Sequence, residues 1–136
     1  MSHQALLPPG WQRPKGYANG VSAAVTARGR QVFVAGMVGW DAEGRFPDGG
    51  IVPQTRVALQ NVVAVLAAAG AKPEHIVRMT WYVTDKKAYL AAGREIGAQY
   101  RELIGNYAVA MAAVQVVALM EDAAVVEIEV TAVVPE

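Results

Sequence analysis

From Ala108 to Leu119 the chain carries no charge, and apolar residues fill odd and even positions alike. Side chains of a β-strand point alternately to the two faces of a sheet, so a strand apolar at both parities needs cover on both. That demand limits the fold to a sheet sealed on two sides. The cover available within the chain can be read from hydrophobic periodicity.

Pro53 suits the first turn of a helix, and Ala58, Val62, Val65, Leu66 and Ala69 form one stripe at helical spacing. Gly70 and Lys72-Pro73 stop it, which predicts a helix over 53–69. Asp85 is positioned to cap a second helix, with Tyr89, Ala92, Ile96, Tyr100 and Leu103 on its buried stripe and Gly105-Asn106 at its end. Ile76–Thr84 alternates, with Val77, Met79, Trp81 and Val83 opposed to Ile76, Arg78, Thr80, Tyr82 and Thr84. Val125–Val134 alternates again, with Val126, Ile128, Val130, Ala132 and Val134 on one face. Upstream, Ser22–Ala27 and Gln31–Gly36 flank Arg28-Gly29-Arg30 and read as a hairpin. Residues 1–20, with Pro8, Pro9 and Pro14, read as an irregular arm.

The order is β-β-α-β-α-β-β, an α+β fold on a mixed sheet. Right-handed crossovers place both helices on one face. The other face is left without cover. A copy of the same chain is the simplest supply, so a homo-oligomer built through the sheet is expected.

A length of 136 residues suits one domain, 1–136. An apolar share of 54% with only 18% charged residues, against a usual charged share of about 25%, excludes a disordered chain. Twelve Lys and Arg balance twelve Asp and Glu, so no nucleic acid partner is expected. The absence of cysteine removes disulfides, thiolate nucleophiles and Cys-based metal sites. Serine occurs only at 2 and 22 and histidine only at 3 and 75, so a Ser-His-acid triad would have to use a terminal residue. His75 reads as a surface or capping histidine at a corner. No metal and no cofactor is expected: the histidines lack close partners, and Gly49-Gly50 lacks the Lys-Ser/Thr of a phosphate cradle.

Leu103–Met120 is uncharged and at the lower edge of a membrane span. Gly105, Asn106 and Gln115 interrupt it and acidic residues flank it, so a helix end followed by a buried strand fits better, and no membrane partner is expected. The N-terminal residues show no basic stretch followed by an apolar run, which makes the cytoplasm the default location.

After Arg101 the chain has no Lys or Arg but six acidic residues. Glu127 and Glu129 share a strand face roughly 7 Å apart. Like charge and burial raise a carboxyl pKa, which is how an acid/base residue is made. The competing reading is two solvent-facing glutamates, or partners of Arg78. Tyr17, within Gly16-Tyr17-Ala18-Asn19-Gly20, is either a cleft residue or a packed turn aromatic.

Taken in order, Gly16-Tyr17-x-x-Gly20-Val21, Val32-Phe33-Val34-Ala35-Gly36-Met37-Val38 and Gln54-Thr55-Arg56-x-Ala58-Leu59-x-Asn61-Val62 resemble the RidA (YjgF-like) family. The likeness continues through Leu66-Ala67-x-Ala69-Gly70, Tyr82-Val83-Thr84-Asp85 and Val126-Glu127-Ile128-Glu129-Val130-x-Ala132, and covers about residues 14–134. It implies a chorismate-mutase-like homotrimer with clefts between subunits, and hydrolysis of enamine/imine intermediates to a ketoacid and ammonia. It also implies a site in which Tyr17 closes the pocket, Gly36 contacts a polar ligand atom through its N–H, and Glu127 orients water. Ala35, Met37 and Met111 are carried over as ligand-lining residues. Three positions depart from the pattern. Ala35 stands where relatives have serine, Met111 where they have the arginine that grips a carboxylate, and a polar position on the second helix falls near Gly93. A cleft with Glu127 and no arginine suits a neutral or cationic small molecule. Arg78 or Arg94 of a neighbouring subunit is the candidate replacement cation. A trimer that binds a ligand without turning it over is the second expectation.

Overall fold

The computed structural model describes residues 3–13, 15, 16, 18 and 20–135. Strand β1 (His3–Leu6) pairs antiparallel with β2 (Gly20–Ala23) in a small two-stranded sheet. The main sheet contains β3 (Arg30–Val38), β4 (Ile76–Val83), β5 (Ala110–Gln115) and β6 (Val126–Val134), in the order β3-β6-β4-β5. Strand β6 is antiparallel to both its neighbours, and β5 runs parallel to β4. Helix α1 (Ile51–Ala68) packs on β3 and β6. Helices α2 (Lys86–Ala91) and α3 (Gly93–Leu103) form the crossover from β4 to β5, and α3 packs on α1.

The helix ends follow their local chemistry. The Asp85 carboxylate accepts from the Ala88 N–H at 3.1 Å, the expected cap. Gly70, at φ 71°, ends α1, and the Ala71 N–H returns to the Leu66 carbonyl at 2.8 Å. The second helix, expected as one piece, is divided at Ala92, just before the low-propensity Gly93. His75 is a capping residue, its Nδ1 accepting from the Lys72 N–H at 3.0 Å.

Two N-terminal expectations are corrected. The irregular arm contains a strand, and the run at 22–27 forms no hairpin with the run at 31–36: β2 pairs with β1, and β3 pairs with β6. The Gly29 turn is present, with its N–H on the Thr26 carbonyl at 3.1 Å, but ladder pairing goes to sequence-distant partners. The parity of β4 also changes at its start, where a register shift between Ile76 and Arg78 buries Ile76.

The core lies between the helices and one face of the sheet. Leu59, Val62 and Leu66 of α1 meet Met79, Trp81, Val126, Ile128 and Val130, all buried. By length and composition α1 is apolar enough to cross a membrane, but Ala58, Leu59, Val62 and Leu66 are fully buried, which makes it the core helix. Side-chain amides fasten the loops to it. Gln54 Nε2 donates to the Ala123 carbonyl at 2.8 Å, while its Oε1 accepts from the Val125 N–H at 2.9 Å. Asn61 Nδ2 donates to the Val38 and Trp40 carbonyls at 2.9 and 3.0 Å. The Gln-Thr-Arg…Asn motif of α1 thus holds the ends of β3 and β6 in place.

The opposite face of the sheet has no helix. Phe33 is 71% exposed there, and Val114 is also exposed. Strand β5, expected to be covered on both faces, is largely exposed in the single chain. Its apolar side chains are therefore left largely uncovered in the single chain.

Candidate functional site

Residues carried into one expected site fall into two groups. The first lies on the bare face. Glu127 stands opposite Tyr82 in the β4–β6 ladder, and Glu129 stands opposite Thr80. Glu129 is taken by the Tyr82 hydroxyl, which donates to its Oε1 at 2.5 Å. That bond and the nearby negative charges hold the Tyr82 phenol above its ordinary pKa. Arg78 is not the partner expected for these glutamates. Among the described residues no hydrogen bond or ion pair engages the Glu127 carboxylate.

Gly36 is the residue that accommodates Glu127. A Cβ at Gly36 would lie 2.7 Å from Glu127 Cδ, closer than real contacts allow. The glycine therefore lets the carboxylate lie across β3, beside a register shift between Val34 and Met37. The structure brings Gly36 and Glu127 together, with Ala35 exposed beside them. Met37 is not part of this group: it is paired with Ile128 and packs against the core.

The second group lies on the helix side of the sheet. Met111 pairs with Met79, a core residue, so it faces the helices. It lines a cavity of about 660 Å³ between β4, the start of β5 and α3. Trp81, Tyr89, Tyr100 and Ile96 supply its apolar walls, and Trp81 packs against Tyr89 and Tyr100 with ring centroids 6.1 and 6.5 Å apart. Burial pushes the Tyr100 phenol up to about 12. Gly93, the predicted helix position, lies at the cavity wall. Tyr17 lies outside the described residues, but Lys15 and Gly16 line the same cavity, and the Ala18 N–H bonds the Val109 carbonyl at 2.8 Å.

The sign of this cavity differs from the expectation. Lys15 and Arg101 are among its lining residues, and among the described residues no Asp or Glu is. Arg94 is exposed and outside it, and Arg78 lies on the other face, near Phe33 and Glu129. Arg101 was not singled out from the sequence. The available signal was its spacing of four residues from Gly97 and eight from Gly93. Among the described residues no group of three or more His, Asp or Glu can hold a metal ion.

Comparison with known proteins matches this arrangement to a family. The profile described as Endoribonuclease L-PSP matches residues 12–134. The Rid-family protein YyfB of Yersinia pestis superposes with a TM-score of 0.73 at 34% identity, covering 97% of this chain and 98% of that one. E. coli TdcF with bound serine superposes at 0.67 and 28% identity, covering 95% and 91%. The 2-iminobutanoate/2-iminopropanoate deaminase of Capra hircus is 32% identical over 105 residues, 76% of this chain and 73% of that protein.

Proposed function

The chain belongs to the RidA (YjgF-like) family, and on that premise we propose that it is a homotrimer that binds a small organic molecule in clefts between subunits and hydrolyses an imine there. One observation carries the reading: Glu127 and Met111 sit on opposite faces of one sheet, so a site containing both needs two copies of the chain. The bare face that carries Glu127 also exposes Phe33, and apolar surface of that kind is what an oligomer seals.

In this cleft Glu127 of one copy meets the cavity of the next. Its unengaged carboxylate orients a water and accepts its proton as the oxygen adds to the C=N carbon. The nitrogen takes up protons and leaves as ammonia, and the carbon keeps the oxygen as a ketone. The aromatic wall excludes bulk water, and Tyr17 closes the mouth. TdcF with bound serine and the Capra hircus deaminase support an amino or imino acid as the class of ligand. The endoribonuclease of the family's description is set aside: the charges balance, and His75 spends Nδ1 on the Lys72 N–H. A cytoplasmic location belongs to the same reading and is checked by cell fractionation.

The test is ammonia release from 2-iminopropionate generated in situ. The expected result is turnover above background that Glu127→Gln lowers about 100-fold, within the usual range for losing a general base. No rate above background in a chain that sediments as a trimer would favour the non-catalytic ligand-binding alternative. A rate that rises in Met111→Arg would show that a cation at that position is limiting.

A further inference from the structure

Gly93, Gly97 and Arg101 are spaced four apart on α3, which puts them on one helix face. All three line the cavity. A helical side chain leans back over the turn before its own Cα. Arg101 does this: its Nη1 lies 3.3 Å from where a Cβ on Gly97 would be. The bare backbone at 97 lets the guanidinium lie along the cavity wall, and an alanine there would press on it. Glu102, the acid next in sequence, is engaged by Arg56 in two bonds of 2.9 and 3.0 Å. Among the described residues Arg101 has no ion-pair partner.

Two polar atoms lie buried behind the cavity wall. Trp81 Nε1 and Tyr100 Oη are buried without hydrogen-bond partners, and both side chains line the cavity. Trp81 is only 2% exposed. An indole N–H is a donor only, and Tyr100 keeps its proton because burial raises its pKa to about 12. Buried donors without acceptors are costly, but neither atom has surface open to the cavity, so recognition of the ligand rests on Arg101 and the shape of the wall. Among the described residues the lining offers two cations, aromatic and thioether surface, and no carboxylate.

We propose that Arg101 grips the carboxylate of the ligand, in place of the arginine that Met111 lacks, that Gly97 makes room for its guanidinium, and that the open space over Gly93 takes a bulky apolar or aromatic body. This rests on the reading of the helix-side cavity as the ligand-binding half of the cleft. The guanidinium holds the carboxylate as a fork. The body of the ligand lies against Tyr89, Tyr100 and Met111. Selectivity runs toward aromatic and branched acids and away from the smallest ones.

The experiment is calorimetric titration of the full chain with phenylpyruvate, with pyruvate, and with phenylacetone, which replaces the carboxylate by a methyl group. Phenylpyruvate is expected to bind tightest, and Arg101→Gln to weaken it roughly tenfold or more, as loss of a charged hydrogen bond does. Arg101→Lys keeps part of the affinity, and phenylacetone binding is unchanged in both variants. Gly97→Ala serves as the control for folding. It favours the helix and should keep or raise the melting temperature, yet it should weaken phenylpyruvate about threefold by displacing the guanidinium. Phenylpyruvate binding that is absent, indifferent to Arg101, or no tighter than pyruvate would overturn the proposal. The outcome is separable from the reading it rests on. Arg101-dependent binding in a chain that sediments as a lone protomer would sink the shared cleft and keep the clamp. A trimer that releases ammonia without Arg101-dependent binding would do the reverse.

Discussion

Strands β4 and β6 present different chemistry on their two sides. Toward the helices they offer Met79, Trp81, Val126, Ile128 and Val130, all buried. Away from the helices they offer Arg78, Thr80, Tyr82, Glu127 and Glu129, partly exposed or exposed, beside the exposed Phe33 of β3. One backbone thus serves two purposes, because successive side chains cannot face the same way. The covered face holds the protomer together. The bare face combines apolar and ionisable groups that nothing within the single chain covers.

Removing a side chain from the covered face should give the largest effect. Leu59→Ala removes a fully buried residue and should cost about 2–5 kcal/mol, read as a lower midpoint in urea denaturation. A cost below 1 kcal/mol would mean that the core is not where the two layers meet. On the same side, Tyr100 couples folding to alkaline pH. Its folded pKa, about 12, lies above the ordinary 10, so the contribution is intact below pH 10 and is lost as the pH rises from 10 to 12. The loss is roughly 3 kcal/mol, and Tyr100→Phe should flatten the decline in denaturation midpoint over that range.

The bare face should respond in function rather than in folding. Gly36→Ala drives a methyl group into the Glu127 carboxylate. Turnover should fall by at least tenfold, because a reacting group displaced by an ångström loses much of its advantage. Far-ultraviolet circular dichroism should be unchanged, and wild-type turnover in this variant would separate Gly36 from the site. Phe33→Ala should change chemical stability of the dissociated protomer by no more than about 0.5 kcal/mol, since the ring is exposed there. It should still loosen the assembly, measured as a higher dissociation constant in sedimentation equilibrium.

The sequence was legible where structure is local. The stripe from Ala58 to Ala69 locates α1 within two residues, Asp85 marks the cap of α2, and alternation gives β4 and β6 their buried faces. It was not legible where a partner is distant. Gly29 signals a turn, but nothing near it shows that β3 pairs with β6 about a hundred residues away, or that His3–Leu6 takes β2. The strand at 110–115 is instructive in another way. Its apolar composition predicts cover on both faces, yet it is largely exposed in one chain, because composition does not say where the cover comes from. For the site, the family pattern led to Gly36 and Glu127, which lie side by side, and placed Met37 with them although it packs against the core. Arg101 lies outside the family's motifs, and the one glycine beside its guanidinium, Gly97, is an absent side chain that leaves little trace in a pattern.

The central claim is that the two faces carry two halves of one site, joined only when copies of the chain meet. The chain has no cysteine, which gives a clean background for cross-linking. Ala35→Cys marks the bare face and Gly93→Cys marks the cavity wall, where a new Cβ meets nothing within 4 Å. An equimolar mixture of the two single variants, treated with a short bis-maleimide, should yield covalent pairs containing one chain of each kind. If the mixture stays monomeric on a denaturing gel while each cysteine remains reactive, the halves do not meet and the account fails.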